Sequence, residues 1–229
     1  MNDTLSRLQA ANPSLNLLPV SAPEFARYGR LLTRHDPSEV IANAKSILPA
    51  AEGVVYEPSV AALEVTTPFT TAITNEVYGG MPVQVGWCYG RNLQMAGLEY
   101  HKGSEVNVCV TDLILLVGHV QDIVFGEVIS YDTRKVAAFY APAGAVVELP
   151  PWNLHFAPIH TTQGGRFAAL VYLPRGTNEP PSFAISKEGE SRLLFAVNKW
   201  LLAHPDAEGL VKAGAYPGLV GSDVFVTPA

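Results

Sequence analysis

The sequence contains few cysteines and no excess of basic residues. Its 229 residues include two cysteines, Cys88 and Cys109, and 15 Lys or Arg against 21 Asp or Glu, for a formal net charge of −6. The two cysteines lack the spacing of a metal site, and we predict that they are reduced thiols rather than a disulfide. Nucleic-acid binding is not expected, because proteins that bind nucleic acid carry a basic surface.

Long apolar runs and common nucleotide motifs are also missing. No apolar run reaches the length of about 18 residues that a membrane-spanning helix needs, so no membrane partner is expected. The N-terminal segment has neither a basic nor an apolar stretch, and we therefore expect no secretory signal and a cytoplasmic location. The dinucleotide fingerprint, the P-loop and the GxSxG elbow do not occur, which disfavours nucleotide and serine-hydrolase chemistry.

Short apolar segments dominate the chain between residues 53 and 175. They are rich in β-branched and aromatic residues and are separated by Gly, Pro and Asn, a pattern typical of a β-barrel or sandwich. The segment 113–117 is apolar at every position, so we expect it to be covered on both faces. The pattern predicts strands at 53–56, 60–64, 83–89, 93–100, 104–111, 113–118, 136–141, 145–149, 155–160 and 167–173.

The two ends of the chain follow a helical pattern instead. Helix starts with Pro in the first turn are predicted at 21–24 and 36–39. Near the C-terminus, apolar residues recur with a period of about 3.6 and predict a helix at 186–204. No linker interrupts the chain, so we predict one domain (1–229) with a helical N-terminal extension (1–52), a barrel (53–175) and a C-terminal helix.

The segment EYHKGSE at 99–105 carries the strongest functional signal. Glu99, His101 and Glu105 share one parity, and side chains of equal parity lie on the same face of a strand. A turn at 102–104 can bring Glu105 back to the same point, and His155 on a later, facing strand adds a second imidazole. Carboxylates and imidazoles suit a divalent metal such as Zn, Mn, Fe, Co or Ni. We predict that His101, Glu105, His155 and Glu99 bind such a metal; alternatively, the acids are solvated charges and His101 is an ordinary polar residue.

Further residues are weaker candidates for the same site. Asn107 continues the parity of Glu105 and is predicted to bind substrate or to make a structural hydrogen bond. Glu148 lies between two apolar residues, where a carboxylate can act as an acid or base, and a metal-free Glu99 is the alternative base. Tyr89 and Arg91 are assigned to substrate binding, with a solvated surface as the other interpretation.

These segments resemble two motifs of the cupins. The first cupin motif has two His separated by one residue and then a Glu; here Glu99 takes the place of the first His. The segment PAG at 142–144 resembles the start of the second motif, but Val147 stands where its His is expected. The resemblance implies a mainly β fold, a cupin double-stranded β-helix (jelly-roll barrel) with flanking N- and C-terminal α-helices. It also implies a homodimer, since cupins commonly pair through edge strands.

Within the cupins, the order of motifs resembles the ureidoglycolate lyases. FARYG at 25–29, EYHKGSE, AFYAPAGAVV at 138–147 and HFAP at 155–158 follow one another as in that family. This resemblance implies that His101, Glu105 and His155 line the site, although Glu105 replaces a Gln of the family. The whole chain is more similar to an uncharacterised set of cupin-like bacterial proteins, a DUF4867-like domain of unknown function, which supplies no reaction.

The combined signals predict a metal-dependent enzyme with a small-molecule substrate. We expect a lyase or isomerase that acts on a small hydroxy acid or sugar acid by proton transfer next to a carbonyl. Two alternatives stay open at this point. One is ureidoglycolate lyase activity, and the other is a cupin that binds a sugar without turnover.

Overall fold

The computed structural model describes residues 3–229. Its strands are β1 (Leu17–Pro19), β2 (Arg30–Leu31), β3 (Val55–Glu57), β4 (Val83–Gly90), β5 (Gly97–Tyr100), β6 (Glu105–Cys109), β7 (Leu113–His119), β8 (Tyr131–Asp132), β9 (Ala137–Ala141), β10 (Val146–Leu149), β11 (Asn153–Leu154), β12 (Ile159–His160), β13 (Phe167–Pro174), β14 (Leu194–Ala196), β15 (Lys199–Ala203) and β16 (Leu219–Val220). The α-helices are α1 (Asp3–Ala11), α2 (Ser38–Ile47), α3 (Pro68–Ala72) and α4 (Glu208–Lys212). Short 3-10 helices are Pro23–Arg27, Val120–Asp122, Thr133–Lys135 and Gly189–Leu193, and Ile73–Val77 is a π-helical turn.

Eight strand segments between β4 and β13 form two facing sheets. One sheet places β4, β13, β6 and β10 side by side, and the other places β5, the β11–β12 segment, β7 and β9 side by side. We number these eight segments along the chain from β4 to β13 and count β11–β12 as one segment. The strand order is then 1-8-3-6 in the first sheet and 2-7-4-5 in the second. This is the jelly roll of the cupins, so the predicted mainly β cupin barrel is confirmed.

Strand β7 shows how the barrel and its outer layers divide the apolar residues. Leu113, Leu115 and Val117 point into the barrel, where they join the core between the two sheets. Ile114 and Leu116 point outward and pack in a second core that includes Leu8 of α1. Both faces of the strand are thus covered, as its uninterrupted apolar sequence predicts.

The N-terminal segment adds helices and two short strands to the barrel. Helix α2 begins at Ser38, within the predicted start, and its Val40 and Ala44 cover the outer face of the β4 sheet. Strand β1 pairs with β9 and strand β2 pairs with β10. Residues before 52 thus take part in both sheets of the barrel. The predicted boundaries of the N-terminal extension and of the single domain stay a prediction.

The helix predicted at 186–204 is wrong. This segment forms a 3-10 turn and then the hairpin of β14 and β15, and β15 pairs with β5 along Trp200 to Ala203. Asn198 has a positive φ of 56°, which turns the chain between the two strands. The apolar residues of this segment are compatible with a helix and with a strand. The segment forms a strand because the backbone groups at the free edge of β5 need hydrogen-bond partners.

Two smaller differences concern residues 58–77. The strand predicted at 60–64 is wrong, since this segment forms turns. Helix α3 was not predicted, although its start carries a local signal. Thr67 and Thr70 form a capping box, and Pro68 between them is the first residue of the helix. No helix within residues 3–229 combines the length and apolar character needed to cross a bilayer.

Candidate metal centre

Two distant segments bring four ionisable side chains together inside the barrel. Glu99 lies in β5, His101 directly follows that strand, and Glu105 begins β6 in the opposite sheet. His155 follows β11 and pairs with Glu99 through two backbone hydrogen bonds of 2.7 and 2.9 Å. All four side chains are buried. His155 thus neighbours β5 in one sheet, and Glu105, rather than His155, comes from the facing sheet.

The distances between the side chains match those of ligands that share one ion. Glu105 Oε2 lies 3.4 Å from Nε2 of His101 and 3.4 Å from Nε2 of His155. Two ligands bound at about 2.1 Å with tetrahedral angles lie about 3.4 Å apart. A charge-assisted N–H···O hydrogen bond would instead be about 2.7–2.9 Å long. One potential ligand atom each of Glu99, His101 and His155 lies within 4.8 Å of the others.

Hydrogen bonds at the far side of each imidazole fix its proton. His101 Nδ1 lies 2.7 Å from the carbonyl oxygen of Asn198, and His155 Nδ1 lies 3.1 Å from Oδ1 of Asn153. Asn153 Nδ2 donates to the carbonyl of Tyr28, which orients the amide so that its oxygen faces His155. Both neighbours are acceptors, so each Nδ1 carries the proton and each Nε2 presents a lone pair.

The two Nε2 atoms are buried and have no hydrogen-bond partner among residues 3–229. Unpaired lone pairs that face a carboxylate in the protein interior are costly. A divalent cation would satisfy both nitrogen atoms and Glu105 at once. The residues present therefore fit a metal ion.

Electrostatics keep Glu105 ionised. Burial acts to raise the pKa of the Glu105 carboxyl, but His155 and His101 outweigh burial and hold this pKa well below its usual range. Burial acts to lower the pKa of His155, whereas Glu105, followed by Glu99, raises it, with a net increase. A proton and a metal ion thus compete for the same position beside Glu105, and metal binding should release protons.

Lys199 is a charged neighbour that the sequence analysis missed. Its ammonium forms an ion pair with Glu99 Oε2, and both side chains are largely buried. The ammonium also lies 5.8 to 5.9 Å from the ring centroids of Tyr56, Phe156 and Phe195. Lys199 belongs to the segment that was predicted as a helix, and only the pairing of β15 with β5 brings it to the centre.

A small cavity of about 30 Å³ adjoins the cluster. Glu99, Glu105, Asn107 and His155 line it together with apolar residues of both sheets. A cavity of this size holds little more than a single water molecule, so a hydroxy acid can enter only if the walls move. Cys88 also lines the cavity, and burial followed by Glu105 raises the pKa of its thiol, which keeps it protonated and unreactive.

Asn107 is the one predicted substrate-binding residue that lies at the centre. Its Nδ2 donates a hydrogen bond of 2.9 Å to Glu105 Oε1, which leaves Oε2 directed at the two imidazoles. Asn107 thereby orients the Glu105 carboxylate.

The structure corrects the assignment of Glu148 as the acid or base. On β10, Val147 and Leu149 point into the barrel, so the alternation of the strand directs Glu148 outward. There it forms an ion pair with Arg30 and accepts a hydrogen bond of 2.8 Å from Ser104 Oγ. Parity alone could not tell which face of this strand points inward.

Tyr89 and Arg91 also lie away from the cluster. The ring of Tyr89 packs against Trp87 on the outer face of the barrel, with centroids 5.1 Å apart. Arg91 forms an ion pair of 3.0 Å with Glu52 and donates to the carbonyl of Gly164. Their predicted role in substrate binding is therefore corrected.

Asn153→Ala should weaken metal binding without removing a ligand. The substitution deletes the acceptor that orients His155, and the loss of such a partner lowers metal affinity by about 10–100-fold. A competition titration with a chromogenic chelator measures the change. Asn43→Ala is the matched control, since Asn43 donates only to the carbonyl of Ala62 at the exposed side of α2. Equal affinity of Asn153→Ala and the control would contradict this role.

The fold and the centre together define the class of protein: a cupin-type jelly roll with a buried cluster of His and Glu that can hold a metal. The model of a domain of unknown function, DUF4867, matches residues 17–224, and the chain belongs to this family. No curated protein matches the sequence at a significant level. The family model supplies no activity, and the resemblance of the ordered motifs to ureidoglycolate lyases stays a prediction.

Solved structures show only a distant likeness. The chain is similar to oxalate decarboxylase from Bacillus subtilis at 11% identity, over 56% of this chain and 27% of that one, with a TM-score of 0.31. Mn(II) centres are described for that enzyme. It is also similar to vicilin from hazelnut, Corylus avellana, at 12% identity, over 41% of this chain and 24% of that one, with a TM-score of 0.29. The chain spans about a quarter of these proteins, and likenesses this partial carry no argument about its activity.

Proposed function

We propose that this protein is a metal-dependent enzyme of lyase or isomerase type. It would act on a small hydroxy acid or sugar acid by moving a proton next to a carbonyl. The observation that supports this most is the convergence of the His101 and His155 Nε2 atoms on Glu105 Oε2, at 3.4 Å each. Three protein ligands would leave room for a substrate at a bound metal, as in catalytic rather than structural sites.

His101, Glu105 and His155 would hold the divalent metal. When bound, such an ion would polarise a carbonyl or hydroxyl oxygen of the substrate and thereby acidify the neighbouring C–H or O–H group. Asn107 and Asn153 keep Glu105 and His155 in the orientation that this requires. Leu115, Leu149 and Val171 give the cavity apolar walls, which limit the access of water to the reacting atoms.

Glu99 is the residue best placed to accept or return the proton. Its Oε1 lies 4.0 Å from His101 Nε2, farther than the 3.4 Å of Glu105, and its Oε2 is engaged by Lys199. The longer distance favours a role beside the metal over a role as a fourth ligand. A carboxylate at this position would lie within reach of a small substrate held next to His101 and Glu105.

Proton exchange in D₂O tests this proposal. Metal-loaded protein is incubated with 2-hydroxy acids, sugar acids and their oxo forms, and proton NMR follows the loss of signal from the C–H next to the carbonyl. We expect exchange or turnover with at least one of these acids, dependent on the metal. Binding of these compounds without exchange would contradict the proposal and favour the sugar-binding alternative. Urea release from ureidoglycolate without exchange elsewhere would favour the lyase alternative.

A further inference from the structure

Lys199 places a positive charge next to residues that line the cavity. Its ammonium contacts Glu99 and lies 5.9 and 5.8 Å from the ring centroids of Tyr56 and Phe156, and all three of these residues line the cavity. The side chain of Lys199 is only 14% exposed. Water therefore screens this charge poorly, and the charge acts strongly on a molecule in the cavity.

The charge balance of the centre favours an anionic reactant. If a divalent ion is bound between neutral imidazoles, its two positive charges are balanced by Glu99 and Glu105. Lys199 then leaves the buried centre with one positive charge in excess. A neutral ligand leaves this excess uncompensated, whereas a carboxylate neutralises it. Without Lys199 the same centre would be neutral and would have no excess charge that a carboxylate could compensate.

We propose that Lys199 is the specificity-determining residue of the centre and selects small carboxylates over neutral polyols and sugars. This inference rests on the proposed function and assigns the recognition of the substrate's acid group to Lys199. The carboxylate of the substrate would lie on the side of the cavity nearest to Lys199, where the ammonium compensates its charge. The three rings around the ammonium limit its movement, so its charge stays near the cavity.

The test compares glycolate with ethylene glycol, which has a similar size but no charge. The full chain is loaded with Mn²⁺, and the water-proton relaxation rate reports displacement of water from the ion by each compound. We expect wild-type protein to bind glycolate at least about tenfold more tightly than ethylene glycol. Equal affinity for the two compounds in wild-type protein would overturn the inference.

Variants separate the effect of the charge from that of the fold. Lys199→Met should lose most of the preference for glycolate and leave the affinity for ethylene glycol unchanged. Lys199→Arg keeps the charge and should keep the preference, with circular dichroism and Mn²⁺ content verifying both proteins. A full glycolate preference in a folded, Mn²⁺-loaded Lys199→Met protein would overturn the inference. If Lys199→Met does not fold, Lys199→Gln, which also lacks the charge, makes the same comparison, because Mn²⁺ itself favours glycolate in wild-type protein.

Failure of this inference can be distinguished from failure of the proposed function. If Mn²⁺ binds at His101 and His155 but the protein does not prefer glycolate, the role of Lys199 is refuted and the assignment of the metal centre stands. If wild-type protein binds no Mn²⁺ at this centre, both the proposed function and the role of Lys199 are refuted.

Discussion

His101→Ala and His155→Ala should each abolish metal binding and turnover. Each substitution removes one of the three ligands around the point where the Nε2 atoms and Glu105 Oε2 converge. Loss of a hydrogen-bond partner behind a ligand already costs about 10–100-fold in metal affinity, so loss of a ligand itself should cost more than about 100-fold. Elemental analysis after dialysis should show metal in wild-type protein and nearly none in either variant.

His119→Ala is the matched control for both variants. His119 lies at the end of β7, is only partly buried, and accepts a local hydrogen bond from the backbone of Gln121. Its removal should change neither metal content nor turnover. A His101→Ala protein that is folded and retains full metal content would refute the assignment of the ligands.

Glu99→Gln should retain the metal and lose most of the turnover. The amide has the shape of the carboxylate but cannot accept a proton, and the loss of a general base typically costs about 10²–10⁴-fold in rate. Metal content should stay near that of wild-type protein, because His101, Glu105 and His155 remain. The two measurements are kcat with the acid that proves to be a substrate and the metal content of the same sample.

Glu148→Gln provides the comparison on the opposite face of the sheet. Because Glu148 contacts Arg30 and Ser104 outside the barrel, its substitution should leave kcat unchanged. A loss of metal in Glu99→Gln would instead make Glu99 a fourth ligand. A loss of turnover in Glu148→Gln but not in Glu99→Gln would contradict the assignment of the base.

The sequence alone was sufficient to predict most of the barrel and the meeting of Glu99, His101, Glu105 and His155 inside it. Strands β4, β6, β7, β9, β10 and β13 lie within or within one residue of the predicted segments, because alternating or continuous apolar runs have few other ways to be buried. The shared parity of Glu99 and His101 and the turn before Glu105 were local signals. His155 was assigned to the cluster only because an imidazole suits a metal site. Its pairing with Glu99 is a long-range contact, which the local sequence does not show.

What the sequence could not show depends on contacts between distant segments. The hairpin of β14 and β15 exists because the edge of β5 offers backbone partners, and this pairing brings Lys199 to Glu99. The outward direction of Glu148 follows from the register of β10 against β6, in which Glu148 lies opposite Val106. Neither pairing has a local signature in the residues themselves.

X-ray absorption spectroscopy at the metal edge tests the central claim most directly. The account predicts one divalent ion per chain, surrounded by two imidazole nitrogens and carboxylate oxygen at about 2.0–2.2 Å. If the His155→Ala protein retains some metal, its spectrum should show one imidazole fewer around the ion than the spectrum of wild-type protein. A metal shell without imidazole, or the same shell in wild-type and His155→Ala protein, would contradict the account.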